Sequence, residues 1–203
     1  MKLYNHSMAP NPRRVRIFLA EKGISLPTEE VDLMAGKNRT PDFLAKNPSG
    51  GLPVLELDDG ACLAESVAIC RYLEGLRPEP NLMGRDPREQ AEIEMWNRRI
   101  ELELFAAVGQ TVRNTHPMFK DRIRQFPDYG EVQRAAVGQR LDRMDKELAG
   151  HQFIAGDRYT IADITALVAI DLAGRMADIA IAPQLANLTR WHGAVSSRTS
   201  AAA

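Results

Sequence analysis

Two cysteines in 203 residues are too few for a disulfide framework. Cys62 and Cys70 stand among apolar residues and form no CxxC pair. They read as buried free thiols in a reducing compartment. No charge sign dominates either: 26 basic against 27 acidic residues leave a formal net charge of -1. That balance argues against nucleic acid or an anionic membrane as a partner. No apolar run reaches the roughly 18 residues that a membrane-crossing helix needs. The start, MKLYNHSMAPNP, lacks the hydrophobic core of a secretory signal. The four histidines, His6, His116, His151 and His192, sit in no HExxH or comparable spacing. The expectation is a cytoplasmic protein with no metal site.

Apolar residues make up 44% of the chain, enough for a sizeable core, and the length suits two domains. Residues 2–5 read as an opening strand. A helix follows from about Pro12 to Lys22, ended by Gly23. LPTEEVDL is a second strand candidate, with Pro27 at its beginning or edge. A short helix is expected over Pro41 to Lys46, capped by Thr40. Val54, Leu55 and Leu57, the Asp59-Gly60 turn and Ala61 to Leu63 read as a hairpin. A helix over Ser66 to Leu76 closes this α/β unit. RPEPNLMGRDPREQ is a polar, proline-bearing break. Beyond it, residues 87–114, 128–149, 160–173 and 183–196 carry helical patterns without strand alternation. The expected organisation is a first domain over 1–77, a linker over 78–86 and an all-helical domain over 87–203. The tail after Ser196 is expected to fray.

Three local signals carry chemistry or folding. Pro53 directly precedes a strand, where it removes a donor and restricts Leu52 to an extended conformation. It is either an ordinary turn proline or a cis proline that leaves the Leu52 backbone free for a peptide-like ligand. Glu65 and Ser66 precede an apolar helical run. They form either a plain cap or a site for an amino-acid end, with the carboxylate on Ser66 and first-turn amides and the ammonium on Glu65. Thr160 and Asp163 in GDRYTIADITAL fit a capping box, with Tyr159 and Ile164 spaced as a hydrophobic staple. The basic run Arg13, Arg14 and Arg16 reads as a solvated helix face or as an anion-attracting site.

In this order, LPVLELDDGACLAESVAICRYLE, a two-domain break and FIAGDRYTIADITAL, the chain resembles the cytosolic glutathione transferases from Met1 to about Trp191. The resemblance implies a thioredoxin-like α/β N-terminal domain followed by an all-α helical C-terminal domain. It implies an enzyme that activates the thiol of glutathione, its co-substrate, for attack on a small electrophile, typically in detoxification. It implies Leu52 and a cis Pro53 on the glutathione cysteinyl backbone, and Glu65 and Ser66 on its γ-glutamyl end. Arg13 and Lys37 are candidates for the glycyl carboxylate. Asn97, Glu101 and Phe105 on the long helix are candidates for the second substrate. A homodimer is expected from the family.

The catalytic position departs from the commoner tyrosine, serine and cysteine patterns of that family. Tyr4 falls too early, inside the strand. Ala9 stands where serine-type enzymes carry serine, and Asn11 where cysteine-type bacterial enzymes carry cysteine. APNPRRV is most similar to the bacterial asparagine-type (nu-like) pattern, with its threonine replaced by Ala9 and its glycine by Pro12. Asn11 is the leading donor to sulfur, through a side-chain amide with two hydrogens. The backbone amide of Asn11 or Arg13 is expected to share that work. Ser7 is the rival donor. Asparagine-type relatives also leave open glutathione-dependent disulfide reduction. A glutathione-binding or protein-interaction module without chemistry is the third reading.

Overall fold

The computed structural model describes all of residues 1–203. They divide into two units, Met1–Asn81 with Thr199–Ala203, and Leu82–Arg198.

The first unit is built on strands β1 (Lys2–Asn5), β2 (Thr28–Glu30), β3 (Val54–Glu56) and β4 (Cys62–Ala64). They form one sheet in the order β2-β1-β3-β4. β1 runs parallel to β2 and antiparallel to β3, and β3 pairs antiparallel with β4. The β1–β2 crossover is helix α1 (Pro10–Lys22), as a parallel pair requires. Helices α2 (Pro41–Lys46) and α3 (Ser66–Leu76) complete this thioredoxin-like unit. Strand alternation sorts the side chains. Leu3 pairs with Leu55 on one face, and Tyr4 with Val54 on the other. Tyr4 and Val54 pack with Val31 and with Phe43 of α2, covered by Leu52 and Cys62.

α1 begins two residues earlier than the sequence suggests. Ala9 is extended and Pro10 takes the first helical position, where its missing N–H leaves no orphan donor. Gly23 ends the helix in the left-handed region at φ 59°. Lys22, at 1% exposure, would be a costly buried charge. Its ammonium is held by Glu74 Oε2 at 2.5 Å and by the carbonyls of Pro78 and Pro80. The tail does not fray: Thr199–Ala202 form a 3-10 turn with Ser200 and Ala201 buried. Ser200 Oγ donates to Glu21, and Arg13 Nη2 donates to the Ala201 carbonyl at 2.9 Å.

The second unit is helical: α4 (Pro87–Arg99), α5 (Ala106–Thr115), α6 (Pro127–Glu147), α7 (Ile161–Ala177) and α8 (Ala186–Ser196). α4 and α5 are joined without a break by a π-helical segment, Ile100–Phe105, where an uninterrupted α-helix was expected. The Ala106 amide bonds to the Glu101 carbonyl, five residues back. α7 is the central element, buried without interruption from Ile161 to Ile170. Its capping box is present. Asp163, fully buried, accepts from Thr160 N–H and Oγ–H on one oxygen, and from Ile154 N–H and Trp191 Nε1–H on the other. Burial pushes this carboxyl above its ordinary value, against the opposite pull of the four donors.

Candidate functional site

The sheet register assembles the site. Tyr4 pairs with Val54, and Val54 pairs with Ala64. Because both pairings are antiparallel, the exit of β1, the entry of β3 and the exit of β4 share one end of the sheet. Those three points lead to the 6–11 loop, to Leu52-Pro53 and to Glu65-Ser66. β2 is parallel to β1, so the segment carrying Lys37 leaves from the same end. Asn38 Nδ2 and Arg39 Nη1 tie that segment to the carbonyls of Gly50 and Ser49, just before Leu52.

The first turn of α1 is chemically sparse. Pro10 and Pro12 have no N–H, and the Arg13 amide donates to the Ala9 carbonyl at 3.2 Å. The Arg13 amide is therefore committed to the helix and does not share in donation, contrary to expectation. Asn11 alone presents a backbone N–H at this positive helix end. Its side-chain carbonyl accepts from Arg14 Nη1 at 3.2 Å, which leaves the Nδ2 amide as the outward donor. Ser7, the rival, is exposed, with its hydroxyl unbonded within the chain. Tyr4 is excluded as a sulfur donor, since its hydroxyl donates to Glu56 Oε2 at 2.6 Å.

Arg14 and Arg16 are not a solvated face. Arg14 is 2% exposed. Arg16 reaches back to Asn5 Oδ1 at 2.7 Å and to the carbonyls of His6 and Ser7. Burial holds the Arg16 guanidinium below its ordinary pKa. Asn5, 3% exposed, also donates to Glu30, which accepts from the Ser7 amide as well. Asn5, Arg16 and Glu30 thus fix the loop between β1 and Asn11. Sequence reasoning missed all three. The available signal was a buried asparagine at a strand end, eleven residues before an arginine in the following helix.

The Leu52-Pro53 peptide is cis. Neither the Leu52 amide nor its carbonyl is hydrogen-bonded within the chain. On the neighbouring strand, where Ala64 pairs with Val54, the β4 exit leads to Glu65, held at φ 67° and exposed. Ser66, 5% exposed, opens α3 with no side-chain bond inside the chain. The first hydrogen bond of α3 runs from the Ile69 amide to the Glu65 carbonyl, so the earlier amides are unused. A peptide backbone fits Leu52, and an amino-acid terminus fits the carboxylate, hydroxyl and amides at 65–67.

The remaining candidates separate. Lys37 is exposed in a short 3-10 turn, and Arg13 donates from Nη2 to the Ala201 carbonyl, one of its five N–H groups. Asn97 is not a substrate contact: it is fully buried, and its Oδ1 accepts from Thr165 of α7 at 2.7 Å. Glu101 and Phe105 are half-buried and lie in the π segment, with Glu101 accepting from Arg98 at 2.6 Å. No helix is long and apolar enough to cross a membrane.

This arrangement, a thioredoxin-like sheet with unpaired backbone groups at one end followed by a helical unit, defines a glutathione-transferase-type fold. The glutathione S-transferase N-terminal domain family matches residues 1–75, and the C-terminal domain family matches 115–199. The chain is 34% identical over 204 residues to glutathione S-transferase 2 of Saccharomyces cerevisiae, covering 98% of this chain and 87% of that protein. It is 33% identical over 171 residues to maleylacetoacetate isomerase of Pseudomonas aeruginosa, covering 81% and 77%. A solved glutathione S-transferase domain-containing protein from Marinobacter aquaeolei is 42% identical, covers 98% of this chain and 99% of its own, and superposes with a TM-score of 0.91. The chain belongs to the glutathione S-transferase family. It is an enzyme of that family with an asparagine at the head of α1.

Proposed function

We propose that the protein activates the thiol of glutathione for attack on a small electrophile, with Asn11 as the donor to sulfur. The observation that carries this reading is the register, which gathers the 6–11 loop, Leu52 and Glu65-Ser66 at one end of the sheet. The Leu52 backbone pairs with the cysteinyl peptide as a short strand would. Ser66 and the α3 amides take the γ-glutamyl carboxylate, and Glu65 takes its ammonium. Lys37 attracts the glycyl carboxylate, and Arg13 supports it from α1. Bound glutathione supplies the nucleophile. The protein therefore needs donors only, and an asparagine suffices where an acid, base or nucleophile would otherwise be sought.

A free thiol has a pKa of about 8.5 and is mostly protonated at neutral pH. Lowering it by two units takes about 2.7 kcal/mol of preference for the thiolate. One hydrogen bond to a charged group supplies roughly 1.5–3 kcal/mol, so Asn11 Nδ2 together with its own backbone amide covers the need. Ultraviolet titration of the bound thiolate tests this. Asn11→Ala should raise the bound thiol pKa by about 1 while changing the glutathione dissociation constant little, since the backbone amide remains. If Ser7→Ala alone produces that shift, Ser7 is the donor. A bound thiol pKa equal to that of free glutathione would remove the activation reading altogether.

Disulfide reduction through the sulfur of glutathione is the second reading. Asn11 favours it because, like any donor without a nucleophile, it leaves the exchange to glutathione. Parallel rates with a chlorinated nitroaromatic and with a small mixed disulfide decide between the two. Glu101 and Phe105 are the second unit's candidates for contact with the electrophile. The asparagine-type bacterial pattern, a cytoplasmic location and a homodimer complete the proposal.

A further inference from the structure

Arg14 lies one helical turn along α1 from Asn11. It is 2% exposed and belongs to the buried side of the helix. An apolar side chain fills such a place at less cost than a guanidinium does, so packing alone does not call for arginine there. α1 packs on α3, and the charge of Arg14 is felt there by Cys70 together with that of Glu74. Burial keeps the Cys70 thiol protonated, so it brings no charge of its own. Glu74 is held by Lys22 at 2.5 Å and by Asn81 Nδ2 at 2.8 Å.

Toward the head of α1, Arg14 Nη1 donates to Asn11 Oδ1 at 3.2 Å. Chemistry fixes which way that amide points. A guanidinium has five N–H groups and no acceptor, so the Asn11 atom facing it is the oxygen. Asn11 itself is exposed. An exposed amide without such an anchor turns freely about its last torsion, which is broad and roughly two-fold. Turned by half a revolution, it would present a lone pair to an anion in place of a donor. The guanidinium also draws electron density toward Oδ1 and leaves the Nδ2 hydrogens more positive, as linked hydrogen bonds polarise one another.

We infer that Arg14 is a positioning residue: it holds the Asn11 amide with Nδ2 outward, toward the sulfur of bound glutathione, and strengthens it as a donor. The inference rests on the reading of Asn11 as the donor to sulfur.

Nitrogen-15 relaxation of the Asn11 side-chain amide in the parent protein, without ligand, tests the first half. An order parameter above about 0.6 is expected despite the exposure, and a lower one overturns the inference. This measurement stands whether or not a variant folds. Arg14→Met keeps the length of the side chain and suits a buried place. It should lower that order parameter and raise the thiol pKa of bound glutathione by about 0.5. In an Asn11→Ala background the same substitution should move the thiol pKa by less than about half as much. The glutathione dissociation constant at about pH 5, where the thiol is protonated, should stay within about twofold in Arg14→Met. Equal pKa rises in the two backgrounds overturn the inference and leave the activation reading intact, because Arg14 then acts on the sulfur without Asn11. Much weaker binding of glutathione at that low pH in Arg14→Met also overturns it, because Arg14 then supports the site as a whole. A parent thiol pKa equal to that of free glutathione overturns activation and positioning together.

Discussion

In the proposed reading, Asn11 and Glu65 need little chemistry of their own because the fold places them. Glu65 sits at φ 67°, a conformation that costs a non-glycine residue on the order of 1–3 kcal/mol. Its carboxylate makes no bond inside the chain, so nothing in the folded protein rewards the choice of glutamate there. Glu65→Gly should therefore raise the midpoint of thermal unfolding, by the equivalent of about 1 kcal/mol, while weakening glutathione binding. Calorimetry and a binding titration on the same sample read both effects. A loss of stability together with unchanged binding would show that Glu65 is structural. The thiols divide as clearly. Burial pushes Cys70 up to about 12, whereas Cys62 is half-buried. At pH 8 iodoacetamide should label Cys62 and leave Cys70 untouched until the protein is unfolded, as peptide mass spectrometry will report.

Among the elements, α7 depends most on one side chain. Asp163→Ala would leave the Ile154 and Thr160 amides and the Trp191 indole N–H buried without partners. A loss of about 3 kcal/mol or more is expected in chemical denaturation. The β3 strand makes a pH-dependent contribution through Glu56, which accepts from Tyr4 and from Lys46 at 2.9 Å. These bonds hold its carboxyl down at about 2, below the ordinary 4.5. A depressed folded-state pKa means that the unfolded chain binds the proton first. The contribution is complete above pH 4.5 and is lost as pH falls toward 2. Acid titrations of parent and Glu56→Gln should converge over that window, and parallel curves would show that the bonds contribute nothing. The α7 cap was legible in sequence because TIAD carries its own local code. The network of Asn5, Arg16 and Glu30 was not, because its members meet only through the β1–β2 register. Asn97 misled for the same reason: helical spacing gives a face but not the neighbour, and the neighbour is Thr165.

At the scale of the whole molecule, the order of strands and helices was readable from turns, caps and periodicity. The departures are tertiary. α1 starts at Pro10 because its cap is an extended alanine rather than a side chain. The tail is ordered because Ser200 and Ala201 find Glu21 and Arg13, some 180 residues earlier in the chain. Removing residues 199–203 should lower the unfolding midpoint and speed hydrogen exchange in α1, as peptide-level mass spectrometry can show; unchanged exchange would mean that the tail contributes nothing to α1. The π segment Ile100–Phe105 has a further consequence, which concerns descent. A π turn holds one residue more than the α-helical count, so each residue after it is turned by about 100° relative to an uninterrupted helix. Loss of a single residue from this hexapeptide would return the turn to α-helical geometry and leave the same stripe of α5 on the core. Across a lineage its length is then free to change by one residue without turning α5. An alignment that omits a gap there, between a relative with the π turn and one without it, compares different faces of the helix as though they were the same.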